Sequence, residues 1–196
     1  MNPKYFQASF SLSAPAIQNL PEDCNLEVAF AGRSNAGKSS ALNVITNQKS
    51  LARTSKTPGR TQAINLFSLP YEPPARYLVD LPGYGFANVP ERIKREWEKQ
   101  LGRYLLERES LQGVILIVDI RRLLSEHDLQ MLECCYHRDL PVHILLTKAD
   151  KLKQGAAKAS FNQVRKEISN SELFTVQLFS ALKKSGIDQA HSTLDD

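Results

Sequence analysis

The sequence predicts an α/β fold with a mostly parallel six-stranded sheet, one antiparallel edge strand, and helices on both faces. Three observations lead there. From Leu26 onward, short apolar runs alternate with segments whose apolar residues follow helical spacing. One run feeds directly into a glycine-rich loop that opens a helix. Two runs, at 62–69 and 77–80, are separated only by the turn Pro70-Tyr71-Glu72-Pro73-Pro74, so they pair as an antiparallel hairpin.

Residues 1–24 are mixed and proline-punctuated and read as an arm lying on the domain. The first strand covers about 26–31, and the first helix runs from 38 to about 46. Residues 47–61 carry Ser, Thr, Pro and Gly among cations and read as an exposed loop. After the hairpin and a loop at 81–90, Ile93, Trp97, Leu101, Tyr104 and Leu105 mark one helix face, with Pro90 suited to its first turn. A buried strand follows at 114–119. Ser125 and Asp128 read as a capping box for a helix over 126–137, with Leu129, Leu132, Cys135 and Tyr136 on its apolar face. Residues 142–147 are the next strand. Ala157, Phe161, Val164 and Ile168 mark a further helix, and Val176, Leu178 and Phe179 a last strand. The polar stretch from Ser185 predicts a weak closing helix. One domain is expected over 25–190, followed by a tail at 191–196, with no repeat or linker.

Composition narrows the class. With 196 residues, 42% hydrophobic and 23% charged, the chain suits one soluble domain with a real core. Apolar runs such as Val114-Ile115-Leu116-Ile117-Val118 stop far short of a membrane span, and the N-terminus does not read as a secretory signal. Cys24, Cys134 and Cys135 are odd in number and lack metal-ligand spacing, which points to a reducing cytoplasm. The net charge of +4 permits a nucleic-acid partner without requiring one. Lys49, Arg53, Lys56 and Arg60 crowd the loop after the first helix. They read either as solvated surface or as a patch for phosphates.

The chemistry sits at strand ends. Gly32-Arg33-Ser34-Asn35-Ala36-Gly37-Lys38-Ser39 fits G-x-x-x-x-G-K-[ST] between a strand and a helix, the context a phosphate loop needs. Glycines 32 and 37 let backbone N–H groups curl around an anion, and the helix start adds a positive dipole. Lys38 is expected to reach the β and γ phosphates, and Ser39 to hold Mg²⁺. This is the P-loop NTPase signature, with Ser40 just inside the helix. Asp80-Leu81-Pro82-Gly83 then reads as D-x-x-G: a carboxylate for the Mg²⁺ water shell and a Gly83 N–H for the γ-phosphate. Thr61, at the strand entrance, is favoured over Thr57 to complete the Mg²⁺ shell when the triphosphate is bound.

Thr147-Lys148-Ala149-Asp150 resembles the [NT]-K-x-D guanine motif of GTPases. Its aspartate accepts from guanine N1 and the 2-amino group, a donor pair that adenine lacks, while the lysine stem lies along the base. Ser180-Ala181-Leu182 resembles the last GTPase motif, with the Ala181 N–H meeting guanine O6, and Phe179 just before it is counted among the nucleotide contacts. The fold expectation is therefore small GTPase-like. Many GTPases place glutamine directly after D-x-x-G to orient water. Tyr84 stands there, so intrinsic hydrolysis is expected to be slow.

Together with Pro58-Gly59-Arg60-Thr61-Gln62 and Asp80-Leu81-Pro82-Gly83-Tyr84-Gly85-Phe86-Ala87, these motifs resemble the bacterial EngB (YihA/YsxC) GTPases of the TrmE–Era–EngA–EngB-Septin-like superfamily. The resemblance spans roughly residues 5–190. It implies GTP and GDP binding, slow Mg²⁺-dependent hydrolysis, assembly of the large ribosomal subunit with contact to its rRNA, and a link to cell division and septation. It adds Gly59 and Arg60 to the nucleotide contacts. It also implies K⁺ coordination by Asn35, against the simpler reading that Asn35 only hydrogen-bonds within its loop. Lys38, Thr61, Gly83 and Asn35 are the expected catalytic groups, and a cytoplasmic monomer is the expected form. Two alternatives stay open: an ATPase or nucleotide kinase, and a nucleotide-locked interaction module with negligible turnover.

Overall fold

A computed structural model of the chain describes residues 1–22, 25–52, 63–85 and 91–196, the side chains of 91–98 excepted. Thr57, Gly59, Arg60, Thr61, Arg53, Lys56, Pro90 and the Phe86-Ala87 end of the D-x-x-G segment lie outside the described residues.

Among the described residues seven strands form one mixed sheet: β1 (Ser9–Ala14), β2 (Leu26–Gly32), β3 (Ile64–Leu69), β4 (Arg76–Asp80), β5 (Leu111–Asp119), β6 (Val142–Thr147) and β7 (Phe174–Leu178). Their spatial order is β1-β3-β4-β2-β5-β6-β7. The pairs from β4 through β7 are parallel, whereas β3 runs antiparallel to both of its neighbours. The expectation of six strands with an antiparallel edge is corrected here. The antiparallel strand lies one place inside, and the edge is built by β1, from the segment expected to be an arm. β1 lacks a strong apolar run because most of its side chains stay exposed. Backbone pairing with β3, from Ser9↔Ser68 to Ala14↔Ile64, defines it instead.

The described residues place these α-helices on the sheet: α1 (Lys38–Ile45), α2 (Glu91–Glu107), α3 (Glu126–His137), α4 (Gln154–Glu167) and α5 (Ile187–Asp195). The continuous apolar run of β5 serves both faces, as a strand covered on both sides requires. Val114, Leu116 and Val118 enter the core shared with α2, α3 and α4, while Ile115 and Ile117 enter the core shared with α1 and α5. On α3 the buried face is Asp128, Met131, Leu132 and Cys135; Leu129 and Tyr136, expected inside, are exposed.

The closing helix is more firmly seated than its polar sequence suggested. Ile187, Ala190 and His191 are buried, so the helix continues into the stretch expected as a tail. His191 Nε2 donates to the Ile45 carbonyl at 2.8 Å, at the last turn of α1, and Nδ1 accepts the Asn2 N–H at 2.9 Å. The N-terminus is tied to the same helix: Asn2 Nδ2 and the Tyr5 hydroxyl both donate to Asp195 Oδ1, at 2.7 and 2.9 Å.

In the sheet β2 lies between β4 on one side and β5 on the other, with later strands placed to both sides of it. The loop after β2 therefore opens at the point where the sheet order reverses, the place where ligands of open α/β sheets bind.

Candidate functional site

The loop after β2 is shaped by its glycines. Gly32 has φ 153°, and a Cβ there would stand 2.4 Å from the Ile117 carbonyl oxygen of the neighbouring strand. Only a residue without a side chain fits. Gly37 has φ 108° at the N-cap of α1, so Lys38 and Ser39 begin the helix with their N–H groups facing the loop. Asn35, at φ 62°, supplies the other left-handed turn. Asparagine tolerates that conformation better than most residues.

Asp80 ends β4 and is 4% exposed. The Lys38 ammonium donates to its Oδ1, joining the phosphate-loop lysine to the D-x-x-G carboxylate. Leu81 N–H donates to the Phe30 carbonyl at 3.0 Å, which draws the segment after β4 alongside β2. Leu81 and Pro82 are buried. Gly83 lies against the phosphate loop, where a Cβ would stand 3.2 Å from the Ser34 nitrogen.

The base-side motif assembles at the ends of β6 and β7. The Thr147 hydroxyl donates to the Ala36 carbonyl at 2.5 Å and to Val118 at 3.1 Å, clasping β6 to the phosphate loop. Lys148, at φ 58°, crosses back so that its ammonium donates to the Asn35 carbonyl at 2.6 Å and to Asp119 Oδ2 at 2.9 Å. Its stem thus forms a wall beside the loop. The Ser180 hydroxyl donates to Asp150 Oδ1 at 2.5 Å, fixing a carboxylate that is 7% exposed. Ala149 N–H donates to the Phe179 carbonyl at 3.2 Å. The Phe179 ring is fully buried, so only its backbone is placed to serve the site. Ala181 is partly exposed beside Asp150's anchor.

Of the expected site residues that are described, the structure brings 32–40, 80–83, 147–150 and 179–181 to one end of the sheet. Sequence reading missed Asp119 and Arg121. Asp119 ends β5 in register with Thr147. Burial works to raise its pKa, but hydrogen bonds from Arg121 and Lys148 more than reverse this and hold the carboxyl well below the usual range. Arg121 binds both of its oxygens, Nε at 2.9 Å and Nη2 at 2.7 Å. The available signal was an apolar run ending in a carboxylate, as β4 ends in Asp80. Tyr84 and Asp128 were also missed as a pair. The Tyr84 hydroxyl donates to Asp128 Oδ1, and burial together with that charge keeps the phenol protonated well beyond its ordinary pKa.

The donor set for a divalent ion is a helix-start hydroxyl, Ser39, and one carboxylate, Asp80. Among the described residues no cluster of three or more His, Cys, Asp or Glu could hold a metal. Sparse hard-oxygen donors suit Mg²⁺, which keeps waters and takes further ligands from phosphates. No helix among the described residues is long and apolar enough to cross a membrane.

Comparison with known proteins agrees with this geometry. The family model described as "50S ribosome-binding GTPase" matches residues 27–148. A probable GTP-binding protein EngB of Salmonella newport is 55% identical over 196 residues, covering 99% of this chain and 91% of its own. Among solved structures, a probable GTP-binding protein engB superposes with a TM-score of 0.68 at 22% identity, covering 86% of this chain and 96% of that one. An Era protein of Aquifex aeolicus bound to GDP·AlF4⁻ superposes with a TM-score of 0.70 at 19% identity, covering 87% and 56%. Those structural likenesses speak for the fold. With the sequence match and the assembled motifs, the chain belongs to the EngB family of GTP-binding proteins, within the TrmE–Era–EngA–EngB-Septin-like GTPase superfamily.

Proposed function

We propose that this chain is a guanine-nucleotide switch that hydrolyses GTP slowly with Mg²⁺ and acts in assembly of the large ribosomal subunit, with a consequent role in cell division and septation. The observation that carries the nucleotide reading is the held Asp150 carboxylate. Ser180 fixes one of its oxygens, and Lys148 is locked beside the phosphate loop. A preset acceptor at the end of β6, level with a phosphate loop, suits guanine N1 and its 2-amino group and leaves adenine without a partner. The ribosomal client is supported by the description of the matching family model.

In this reading Gly32, Arg33, Ser34, Asn35, Ala36, Gly37, Lys38, Ser39 and Ser40 cradle the phosphates. Ser39, Asp80 and Thr61 would hold Mg²⁺ directly or through water, and the ion would neutralise charge on the β and γ phosphates. Lys38 exchanges its Asp80 partner for phosphate oxygens when nucleotide binds. Gly83 offers its N–H to the γ-phosphate. Asn35, whose amide has no hydrogen-bond partner among the described residues, is the candidate K⁺ ligand. The protein acts as a cytoplasmic monomer on precursor particles, with Lys49, Arg53, Lys56 and Arg60 as the candidate partners of rRNA phosphates.

A second reading, an interaction module with negligible turnover, is favoured by Tyr84: its hydroxyl is given to Asp128 rather than to a water at the phosphate loop. Binding of GTP, GDP and ATP followed by single-turnover counting separates the two. Guanine-selective binding with slow Mg²⁺-dependent release of phosphate, faster in KCl than in NaCl, is the expected result. ATP binding as tight as GTP binding would overturn the base assignment. Co-sedimentation with ribosomal particles under a GTP analogue and under GDP, across a salt series, tests the client. Absence of pelleting in either state at low salt would remove it.

A further inference from the structure

The residue after the D-x-x-G glycine is joined to two different elements. On the backbone side, Tyr84 is bridged to the phosphate loop: its carbonyl accepts the Ser34 N–H at 2.9 Å, and its own N–H donates to Gly32 at 3.4 Å. On the side-chain side, its buried phenol donates to Asp128 Oδ1. The other oxygen of that carboxylate accepts from both the backbone and the hydroxyl of Ser125, at 2.7 and 2.6 Å. The same residue pair closes the capping box of α3. One carboxylate, 2% exposed, therefore serves both the nucleotide-sensing segment and the first turn of a helix.

We infer that Tyr84 and Asp128 form a latch through which α3 reads the nucleotide: closed with the diphosphate, opened when the γ-phosphate draws the Gly83 peptide to itself. This rests on the guanine-nucleotide reading above. The mechanical reason is the spacing. Gly83 and Tyr84 are adjacent, Gly83 lies close enough to the loop that a Cβ on it would stand 3.2 Å from the Ser34 nitrogen, and the peptide groups of Tyr84 are bonded to Gly32 and Ser34, so a shift of Gly83 re-aims the next peptide. The Tyr84 backbone bonds to Gly32 and Ser34 are then lost or re-aimed, and the phenol is carried with them. Asp128 borders a cleft of about 420 Å³ shared with Arg33, Ser34 and Gly85, so the latch carboxylate lies beside the phosphate loop. A buried carboxylate that loses a donor makes its neighbourhood less favourable, and the first turn of α3 loosens. Two discrete arrangements of one hydrogen bond make this a two-state element rather than a line of contacts.

The test is amide hydrogen exchange of the full chain with bound GDP and with a non-hydrolysable GTP analogue, after fluorescent-nucleotide titration has established occupancy. In the parent protein, amides of residues 126–131 should exchange at least about tenfold faster in the analogue state, the scale set by loss of one hydrogen bond to a charged acceptor. In Tyr84→Phe, which keeps the ring and removes the donor, that difference should collapse to less than about twofold. Ser125→Ala removes the hydroxyl that caps this turn and donates to the far oxygen of Asp128, but it leaves the Tyr84 bond to the near oxygen, so exchange should rise in both states while the nucleotide-dependent difference persists. Equal exchange of α3 in the two states of the parent, or an unchanged difference in Tyr84→Phe, overturns the latch while nucleotide binding stands. Failure of either nucleotide to bind overturns the nucleotide reading itself.

Discussion

Two carboxylates carry the proposed base pocket, and they are held differently. Asp150 is fixed by the Ser180 hydroxyl. Asp119 is aimed at Lys148 and is itself held by Arg121. Changing Asp150→Asn replaces an acceptor with a donor where guanine presents donors. GDP binding should weaken by roughly 2–5 kcal/mol, and xanthosine diphosphate should become the better ligand because its 2-oxo group accepts. Parallel titrations of both nucleotides check this, and undiminished GDP affinity in the variant would dismiss the assignment. Asp119→Asn leaves every presumed ligand contact in place but frees the lysine wall. GDP affinity should fall about tenfold, the worth of a charge-assisted hydrogen bond, with the GDP-over-XDP preference retained. A loss of preference as large as in Asp150→Asn would mean that Asp119 meets the base directly.

At the scale of elements, the strand ends depend on close backbone approach. Gly32 passes beside Ile117 with no space for a methyl group, in a backbone conformation that side chains resist. Gly32→Ala should cost at least about 2 kcal/mol of stability and should abolish GDP binding, since relief of the clash requires β2 to part from β5. Urea unfolding with a parallel binding assay tests both; a variant that unfolds like the parent would show that the loop can re-seat. Strands β6 and β7 carry a second device. His143 is buried, with Nδ1 2.7 Å from the Thr175 hydroxyl and Nε2 2.8 Å from Gln177 Oε1. Burial lowers its pKa, although the Gln177 bond opposes this. A histidine with a depressed folded pKa binds its proton more readily when unfolded. Its contribution is therefore present above the unfolded value, about 6.5, and is lost as pH falls below it. Melting temperature should drop between neutral pH and pH 5, and His143→Gln should flatten that slope. An equally steep slope in the variant would assign the effect to other groups.

For the whole molecule, the far end of the sheet is held by a buried ion pair. Glu27 is fully buried and accepts from Arg108 Nε at 3.1 Å and from the Tyr104 hydroxyl at 2.7 Å. The same guanidinium donates to the Pro21 carbonyl at 2.8 Å, so one arginine ties β2, the end of α2 and the N-terminal segment together. Removing one partner strands a buried charge. Arg108→Leu should destabilise by about 3–5 kcal/mol, and adding Glu27→Leu should recover part of that loss. A denaturant series on the single and double variants decides it; a double variant no more stable than the single would show that the loss lies in packing.

Local chemistry made much of this protein legible without a structure. A phosphate loop needs glycines, a lysine and a helix start in one short run, and a guanine-reading carboxylate needs a strand end; both are contiguous, so Gly32 through Ser39 and Thr147 through Asp150 could be read directly. The capping box of Ser125 and Asp128 was legible for the same reason. Other features had no local signal. β1 is a strand only because β3 offers it hydrogen-bonding groups across a gap of many residues, and its own side chains are mostly exposed. α5 has only a short apolar face, yet it is held by His191 against α1 and by Asp195 against the N-terminus. Asp119, Tyr84 and Asp128 joined the candidate site through partners distant in the chain, and Arg121 followed as the neighbour that holds Asp119. Sequence alone determined the GTPase family to which the chain belongs, because the motifs that mark it are short and contiguous. Tertiary structure decided which other side chains support it, because register and burial bring together groups that no spacing along the chain relates.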